Sequence, residues 1–130
     1  MPLDYLIYKF SEMIFNGCFP SKMHDQLAGE LVKARLMKGS GRFDEALEVV
    51  DKTLHRLPDY PEALLLKAQI LWEGYADYPA AKACLHQVLQ RKKIKTEKDE
   101  AIYRWSDNLL KEMRQEKRAQ HSRARKDRRR

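Results

Sequence analysis

The chain is poor in the residues that interrupt or cross-link a fold. Its 130 residues include five prolines, five glycines and two cysteines. Few helix breakers and little strand-like alternation favour helices, and two cysteines are too few for a disulfide framework. We therefore predict an all-α protein of one domain, large enough for a modest hydrophobic core.

Long apolar runs and targeting signals are also missing. No run of about 18 apolar residues occurs, so no transmembrane helix is expected. The N-terminal stretch carries Asp4 early and lacks a basic lead, which argues against a signal peptide. Without a secretory context, Cys18 and Cys84 are expected to be reduced thiols, and the predicted location is the cytoplasm.

The chain is rich in charged residues, and its net positive charge is concentrated at one end. Charged residues make up 35% of the chain, and the net charge is +7. Residues 117–130 hold eight Lys or Arg and one Asp, which accounts for all of it and leaves residues 1–116 neutral. The only apolar residues after Met113 are alanines, so this basic tail is expected to be frayed helix or disordered. Its candidate phosphate-binding residues are Arg123, Arg125, Lys126, Arg128, Arg129 and Arg130.

Apolar residues at three- and four-residue spacing predict six helices, which begin near residues 3, 20, 44, 61, 77 and 97. Ser21 and Asp77 are expected to be N-caps, and Thr96 with Asp99 resembles a capping box. The positions expected to be buried are Met23, Leu27, Leu31, Ala34, Met37, Ala46, Val50, Thr53, Leu57, Leu64, Ala68, Leu71, Ala81, Leu85, Val88, Ile102, Trp105, Leu109 and Met113.

Two helical pairs repeat at a step of 34 to 35 residues. The first helices align at 34, as in Ala34 and Ala68, and the second helices at 35, as in Ala46 and Ala81. One extra residue in the turn at 74–77 explains the change. This period is typical of helical hairpins stacked into a solenoid, with alanines where the helices cross.

The segment 27–92 resembles tetratricopeptide repeats (TPRs) in its small, turn and aromatic positions. The matching residues are Ala34, Gly41, Phe43, Ala46 and Pro58 in one copy and Ala68, Tyr78 and Ala81 in the other. The pattern is degenerate, since the usual early tryptophan is absent from both copies and no proline closes the second.

The resemblance implies a TPR-like solenoid of two hairpins over residues 20–92. Two hairpins bury too little surface alone. Residues 1–19 and 96–116 are therefore assigned as N- and C-terminal capping helices, followed by the tail at 117–130. Oligomerisation through an exposed flank is the alternative source of burial.

A TPR resemblance also implies a concave groove, lined by the first helix of each hairpin, that binds a peptide or helix. Leu65 and Trp72 are the expected apolar anchors, and Arg35 and Lys38 would select acidic neighbours. The alternative, given equal weight, is that Trp72 and Tyr103 pack as core residues under the caps and do not line the groove. The full set of groove positions is Leu31, Arg35, Lys38, Leu65, Gln69, Trp72, Tyr103 and Asp107.

No catalytic, metal or cofactor site is expected. Cys84 and His86 are two residues apart on a predicted helix, about 200° around its axis, and cannot share a ligand. The sequence therefore predicts a non-enzymatic adaptor or scaffold for protein partners. The alternative is a nucleic-acid-associated protein, for example on ribosomal RNA, whose tail supplies nonspecific affinity; a solvated, merely solubilising tail is the plainest reading.

Overall fold

A computed structural model describes residues 20–90 and 97–130 of the chain. The described residues form five helices and contain no strand, which confirms the all-α fold class. The helices are α1 (Pro20–Gly39), α2 (Phe43–Arg56), α3 (Pro61–Tyr75), α4 (Tyr78–Gln90) and α5 (Glu97–Arg128). The predicted helix near residues 3–15 and the Thr96 half of the capping box lie outside the described residues. The Ser21 cap and the burial of Met23 are also untested, because the side chains of residues 20–24 are not described.

The helices stack as two hairpins followed by a long last helix. α1 packs on α2 and α3 packs on α4. The hairpins join because α3 also contacts α1 and α2, and α5 then packs on both α3 and α4. Each first helix thus lies beside the first helix of the next unit, as a helical-hairpin repeat requires.

Two hydrophobic clusters hold this stack together, and α3 contributes to both. The first core joins the first hairpin to α3 through Leu31, Ala34, Ala46, Val50, Ala63, Leu66 and Ile70. The second core joins α3, α4 and α5 through Leu64, Leu65, Ala68, Ala81, Leu85, Val88, Ile102, Tyr103, Leu110 and Met113. Burying one of the leucine side chains contributes about 1.5–3 kcal/mol.

The repeated alanines are buried, as predicted from their spacing. Ala34, Ala46, Ala68 and Ala81 all have no exposed surface. A larger side chain at any of them would overpack the contact, at a cost of about 1–3 kcal/mol. The predicted burial of Thr53 is also confirmed, and its hydroxyl donates to the Val49 carbonyl at 3.0 Å.

Equivalent backbone hydrogen bonds close the two hairpin turns. The Arg42 N–H donates to the Met37 carbonyl at 2.9 Å, and the Asp77 N–H donates to the Leu71 carbonyl at 3.0 Å. The acceptors are 34 residues apart and the donors 35, so the second turn holds the one extra residue predicted from the sequence. Each turn contains one residue with a left-handed backbone, Gly41 at φ 79° in the first and Ala76 at φ 50° in the second.

Helix starts follow the sequence closely. Pro61 begins α3, where its missing N–H has no helical acceptor in any case. Asp77 caps α4 as expected, because its carboxylate accepts the Ala80 N–H at 3.2 Å. Leu57 and Leu71, both predicted to be buried, are only partly buried, and Leu57 lies just past the end of α2.

The buried face of α5 differs from the predicted one. Trp105 was expected in the core but is 55% exposed, and Leu109 is only partly buried. Ser106 and Leu110 are buried instead. The sequence carries two competing apolar rows on this helix, and the row with a small residue at its centre fits against α3 and α4. The Ser106 hydroxyl is satisfied within the helix by donating to the Ile102 carbonyl at 2.8 Å.

The packed part of α5 ends at Met113, as the sequence predicted. The residues after it were expected to be a frayed helix or a disordered tail, and the structure has them as helix without a break to Arg128. Met113 is its last buried residue, and from residue 114 onward all side chains except Ala119 are exposed. The last part of α5 is therefore a solvent-exposed helical extension of the solenoid.

Candidate functional site: the inner face of the first helices

α3 presents two polar sides between its two apolar ones. Lys67 lies on one polar side and pairs with Asp51 of α2 at 2.8 Å, so this side faces the second helices. Glu62, Gln69 and Glu73 form the other side, about 140° around the helix from Lys67 at 100° per residue. This inner stripe, as we call these three residues, therefore faces away from α2, on the side of the stack formed by the first helices.

Ion pairs connect the inner stripe to both neighbouring first helices. Glu73 pairs with Lys38 of α1 at 3.0 Å, and Glu62 pairs with Lys98 of α5 at 2.9 Å. The side chains of Glu62 and Lys38 are only 12% and 19% exposed. Partly exposed pairs of this kind contribute little stability, about 0–1 kcal/mol each. These two pairs show instead that α1, α3 and α5 share one continuous surface.

Tyr60 adds a hydrogen bond at the start of α3. Its hydroxyl donates to the Glu62 carboxylate at 3.3 Å. Burial and the adjacent Glu62 charge raise the pKa of Tyr60 to about 12, while the Arg35 charge opposes the shift. Tyr60 is therefore a neutral donor at physiological pH, and it directs the Glu62 carboxylate at one end of the inner stripe.

Three of the predicted groove residues belong to the cores instead. Leu31 is fully buried in the first core, and Leu65 and Tyr103 are 7% and 6% exposed in the second. These side chains pack against a neighbouring unit of the stack. They leave too little exposed surface for a partner, which corrects the assignment of Leu65 as an anchor.

Trp72 also packs against other residues of the protein. It is partly buried against the second core, and its ring meets the Tyr78 ring edge-on with centroids 6.2 Å apart. An edge-to-face pair of this kind adds about 0.5–1.5 kcal/mol to the burial of the two rings. The structure therefore favours the alternative in which Trp72 packs as core.

The remaining predicted groove residues are polar, and they are dispersed. Arg35 is exposed on α1 and Gln69 lies in the inner stripe. Asp107 is paired along its own helix with Lys111 at 2.9 Å. The structure thus brings Lys38 and Gln69 to one surface, with Arg35 at its α1 edge, and leaves Asp107 apart from them.

Trp105 is the groove candidate that sequence reasoning missed. It shares one face of α5 with Lys98 and Leu109, all within about 40° around the helix axis. Because Lys98 reaches Glu62, this face borders the inner stripe, and Trp105 presents an exposed indole there. The sequence did contain a signal for this. α5 has two apolar rows, and only one of them can pack in the core, so the other had to stay exposed.

A depression on the outer face of α2 is a weaker candidate. It is lined by an acidic row that includes Asp44, Glu48 and Asp51, with Tyr75 at its edge. Each carboxylate already has a partner, a lysine for Glu48 and Asp51 and the Tyr75 hydroxyl for Asp44. The negative charges of the row are therefore already paired within the protein, and the inner stripe is the better candidate.

Comparison with protein families agrees with this geometry. Residues 38–93 match the family model described as "Tetratricopeptide repeat". This segment is similar to tetratricopeptide repeats. The match covers α2, α3 and α4, which carry Ala46, Ala68 and Ala81, and it includes Gly41 and Ala76 of the two hairpin turns. The TPR-like region holds about two degenerate repeats. No curated protein sequence and no solved structure matches the chain significantly.

Other kinds of site were sought across residues 20–90 and 97–130. In these ranges no group of three or more His, Cys, Asp or Glu residues is arranged to hold a metal ion. None of the described helices is both long and apolar enough to cross a bilayer. Burial raises the pKa of the Cys84 thiol, so its reactive thiolate form is disfavoured. TPR regions are typical of protein–protein interaction modules.

Proposed function

We propose that the protein is a non-enzymatic scaffold or adaptor of the cytoplasm whose concave TPR surface binds an extended or helical segment of another protein. The observation that supports this most is the exposed Trp105, on the same face of α5 as Lys98, whose ammonium pairs with Glu62 of α3. An exposed tryptophan at the border of a polar groove is the kind of residue that dominates binding energy at interfaces.

The chemistry of the surface indicates what the bound segment carries. An apolar side chain of the partner would cover the Trp105 ring and the adjacent Leu109. Basic or amide side chains would meet Glu62 and Glu73, exchanging with Lys98 and Lys38. Arg35, exposed on α1, would favour an acidic residue at the other end of the segment. The binding segment is thus expected to have one apolar anchor and opposite charges at its two ends.

The test begins with peptides selected from a random library on the full-length chain. Affinities of the selected peptides are then measured by fluorescence anisotropy for three proteins: wild type, Trp105→Ala and Tyr75→Ala. Tyr75 is a matched control because it is an exposed aromatic, 44% exposed, near α2 on the other side of α3. Circular dichroism confirms that both variants keep the helical fold.

Trp105→Ala should weaken binding by about 30-fold or more, the effect of a typical aromatic hot spot. Tyr75→Ala should change the affinity less than about 3-fold, within the ordinary scatter of neutral contacts. Equal losses in the two variants, or peptides that bind Trp105→Ala as tightly as wild type, would contradict the proposed groove.

A further inference from the structure

The exposed part of α5 carries most of its positive charge on one side. Arg114, Lys117, Arg118, His121, Arg125 and Arg128 follow one another one, three or four residues apart. At 100° per residue these side chains fall within a sector of about 100° around the helix. We call them the basic stripe. A disordered tail would have had no such side, so the stripe is a consequence of the unbroken helix.

The opposite side of the same helix holds the acidic residues. Glu116 and Asp127 lie about 150° from the centre of the basic stripe. The Glu116 carboxylate accepts a hydrogen bond from the Gln120 amide at 3.5 Å, so this side is engaged along the helix. The extension therefore has one cationic face and one mixed face, which a surface serving only for solubility does not require.

The stripe is attached to the packed body on the α4 side. The Lys117 ammonium lies 5.5 Å from the centroid of the Tyr78 ring, and the Lys82 ammonium lies 5.8 Å from the same centroid. Two cations share one aromatic ring, which offsets part of their mutual repulsion. Lys82 thereby adds positive charge at the base of the stripe, and the stripe lies on a different face of α5 from Trp105.

We propose that the basic stripe binds the phosphate backbone of a nucleic-acid duplex. From Arg114 to Arg128 the stripe is about 21 Å long at 1.5 Å per residue. A duplex strand carries one phosphate per about 3.4 Å, so the stripe spans about six phosphates. Arginine predominates, with four Arg and one Lys among its six residues, and guanidinium groups bind phosphate oxygens in pairs.

Other anionic partners fit this helix less well. A membrane-surface helix needs an apolar face, and only Ala119 and Ala124 are apolar in residues 114–130. Single strands are held largely by stacking on aromatic rings, and the stripe has no Phe, Tyr or Trp. A regular, rigid row of cations matches the regular charges of a duplex. Because the row reads no base edges, binding will be independent of sequence.

Two double variants of the full chain test the proposal with equal changes of charge. Arg118→Gln with Arg125→Gln removes two charges from the stripe. Arg123→Gln with Lys126→Gln removes two charges from the other side of the same turns. Binding is measured by anisotropy with labelled DNA and RNA duplexes of about 20 base pairs, long enough to cover the stripe. Vesicles containing phosphatidylserine and poly-glutamate complete the set of probes.

About five phosphate contacts predict that wild-type affinity falls about 500-fold between roughly 50 and 200 mM salt. The stripe variant should keep about three contacts and lose only about 40-fold over the same range, with weaker binding at low salt. The off-stripe variant should keep the wild-type salt slope. The DNA and RNA arms decide which duplex is the better ligand.

Three results would overturn the proposal. One is an equal change in both double variants, which would mean that only net charge matters. Another is binding to the vesicles or to poly-glutamate as tight as to the duplexes at the same salt. The third is the absence of binding to either duplex at low salt. None of these results bears on Trp105 or the peptide groove, so the two proposals fail separately.

Discussion

Phe43 packs directly against Gly74, across the boundary between the two hairpins. A Cβ atom built on Gly74 would lie 2.5 Å from Phe43 Cγ and 2.9 Å from Phe43 Cβ. The contact is with the root of the Phe43 side chain, which cannot move without moving α2. Gly74 is therefore required for close approach, whereas the left-handed residue of that turn is Ala76.

Gly74→Ala should destabilise the protein, because the added methyl group would force Phe43 and the start of α2 to shift. A cost of about 1–3 kcal/mol in the free energy of unfolding is expected, measured by urea denaturation. Gly29→Ala is the matched control, since nothing lies within 4 Å of its Cβ position on α1. It should stabilise by about 0.5–1 kcal/mol. A neutral Gly74→Ala would contradict the close packing.

Ala76→Gly should raise the free energy of unfolding, whereas most substitutions to glycine lower it. Ala76 has φ 50°, in the region where an L-residue with a Cβ pays about 1–2 kcal/mol. Glycine removes that strain but adds freedom to the unfolded chain, so a net gain of about 0.5–1 kcal/mol is expected. Ala83→Gly, at an exposed position within α4, should lose about 1 kcal/mol. Thermal melting of the two variants side by side distinguishes them.

Tyr60 predicts how stability changes at alkaline pH. Its pKa is about 12 in the folded protein against 10.0 for an unperturbed tyrosine. Because the folded state holds the proton more tightly, the contribution of Tyr60 is complete below pH 10.0 and is lost as pH rises toward 12. Tyr60→Phe should therefore show a shallower decline of unfolding free energy across this window. Parallel declines in the two proteins would argue against the buried Tyr60–Glu62 contact.

Val32 and Leu36 mark an open end of the repeat. They lie 34 residues before Leu66 and Ile70, which pack α3 against the first hairpin, yet they are 51% and 69% exposed. The repeat therefore predicts that a preceding helix covers them, and the apolar stripe expected at residues 3–14 is the segment of this chain that would do so.

A double-mutant cycle in the full-length chain measures that contact. Phe10→Ala and Leu36→Ala should couple by about 0.5–2 kcal/mol in unfolding free energy. Phe10→Ala and Trp105→Ala should be additive, since Trp105 lies at the opposite end of the stack. Additivity in both cycles, together with dimers that dissociate on Leu36→Ala in sedimentation, would instead show that a second copy covers this face.

Much of the fold follows from short-range signals in the sequence. The step from 34 to 35 residues, the buried alanines and the Asp77 cap each depend on local geometry, and all three were predictable. The face of α5 was not, because its two apolar rows are equally periodic. Only the shape offered by α3 and α4 selects the row with Ser106 over the row with Trp105.

The groove illustrates a second limit of reading a sequence. Leu31 and Leu65 were placed in it because they repeat at 34 residues. A repeat period shows that two positions are equivalent, but not which neighbour they face. Ion pairs between helices, such as Lys38–Glu73 and Lys98–Glu62, showed which side chains lie between the first helices. Ion pairs between residues so far apart along the chain cannot be predicted from the periodicity of a single sequence.

The continuity of α5 has a mechanical consequence. One rod joins Trp105, where a peptide is proposed to bind, to Arg128, where the basic stripe ends, across about 35 Å at 1.5 Å per residue. With no hinge between them, two ligands held at these points would keep a fixed separation and a fixed relative orientation. The helix would then act as a spacer of set length. Changing its length by one residue would also rotate one ligand about 100° around the other.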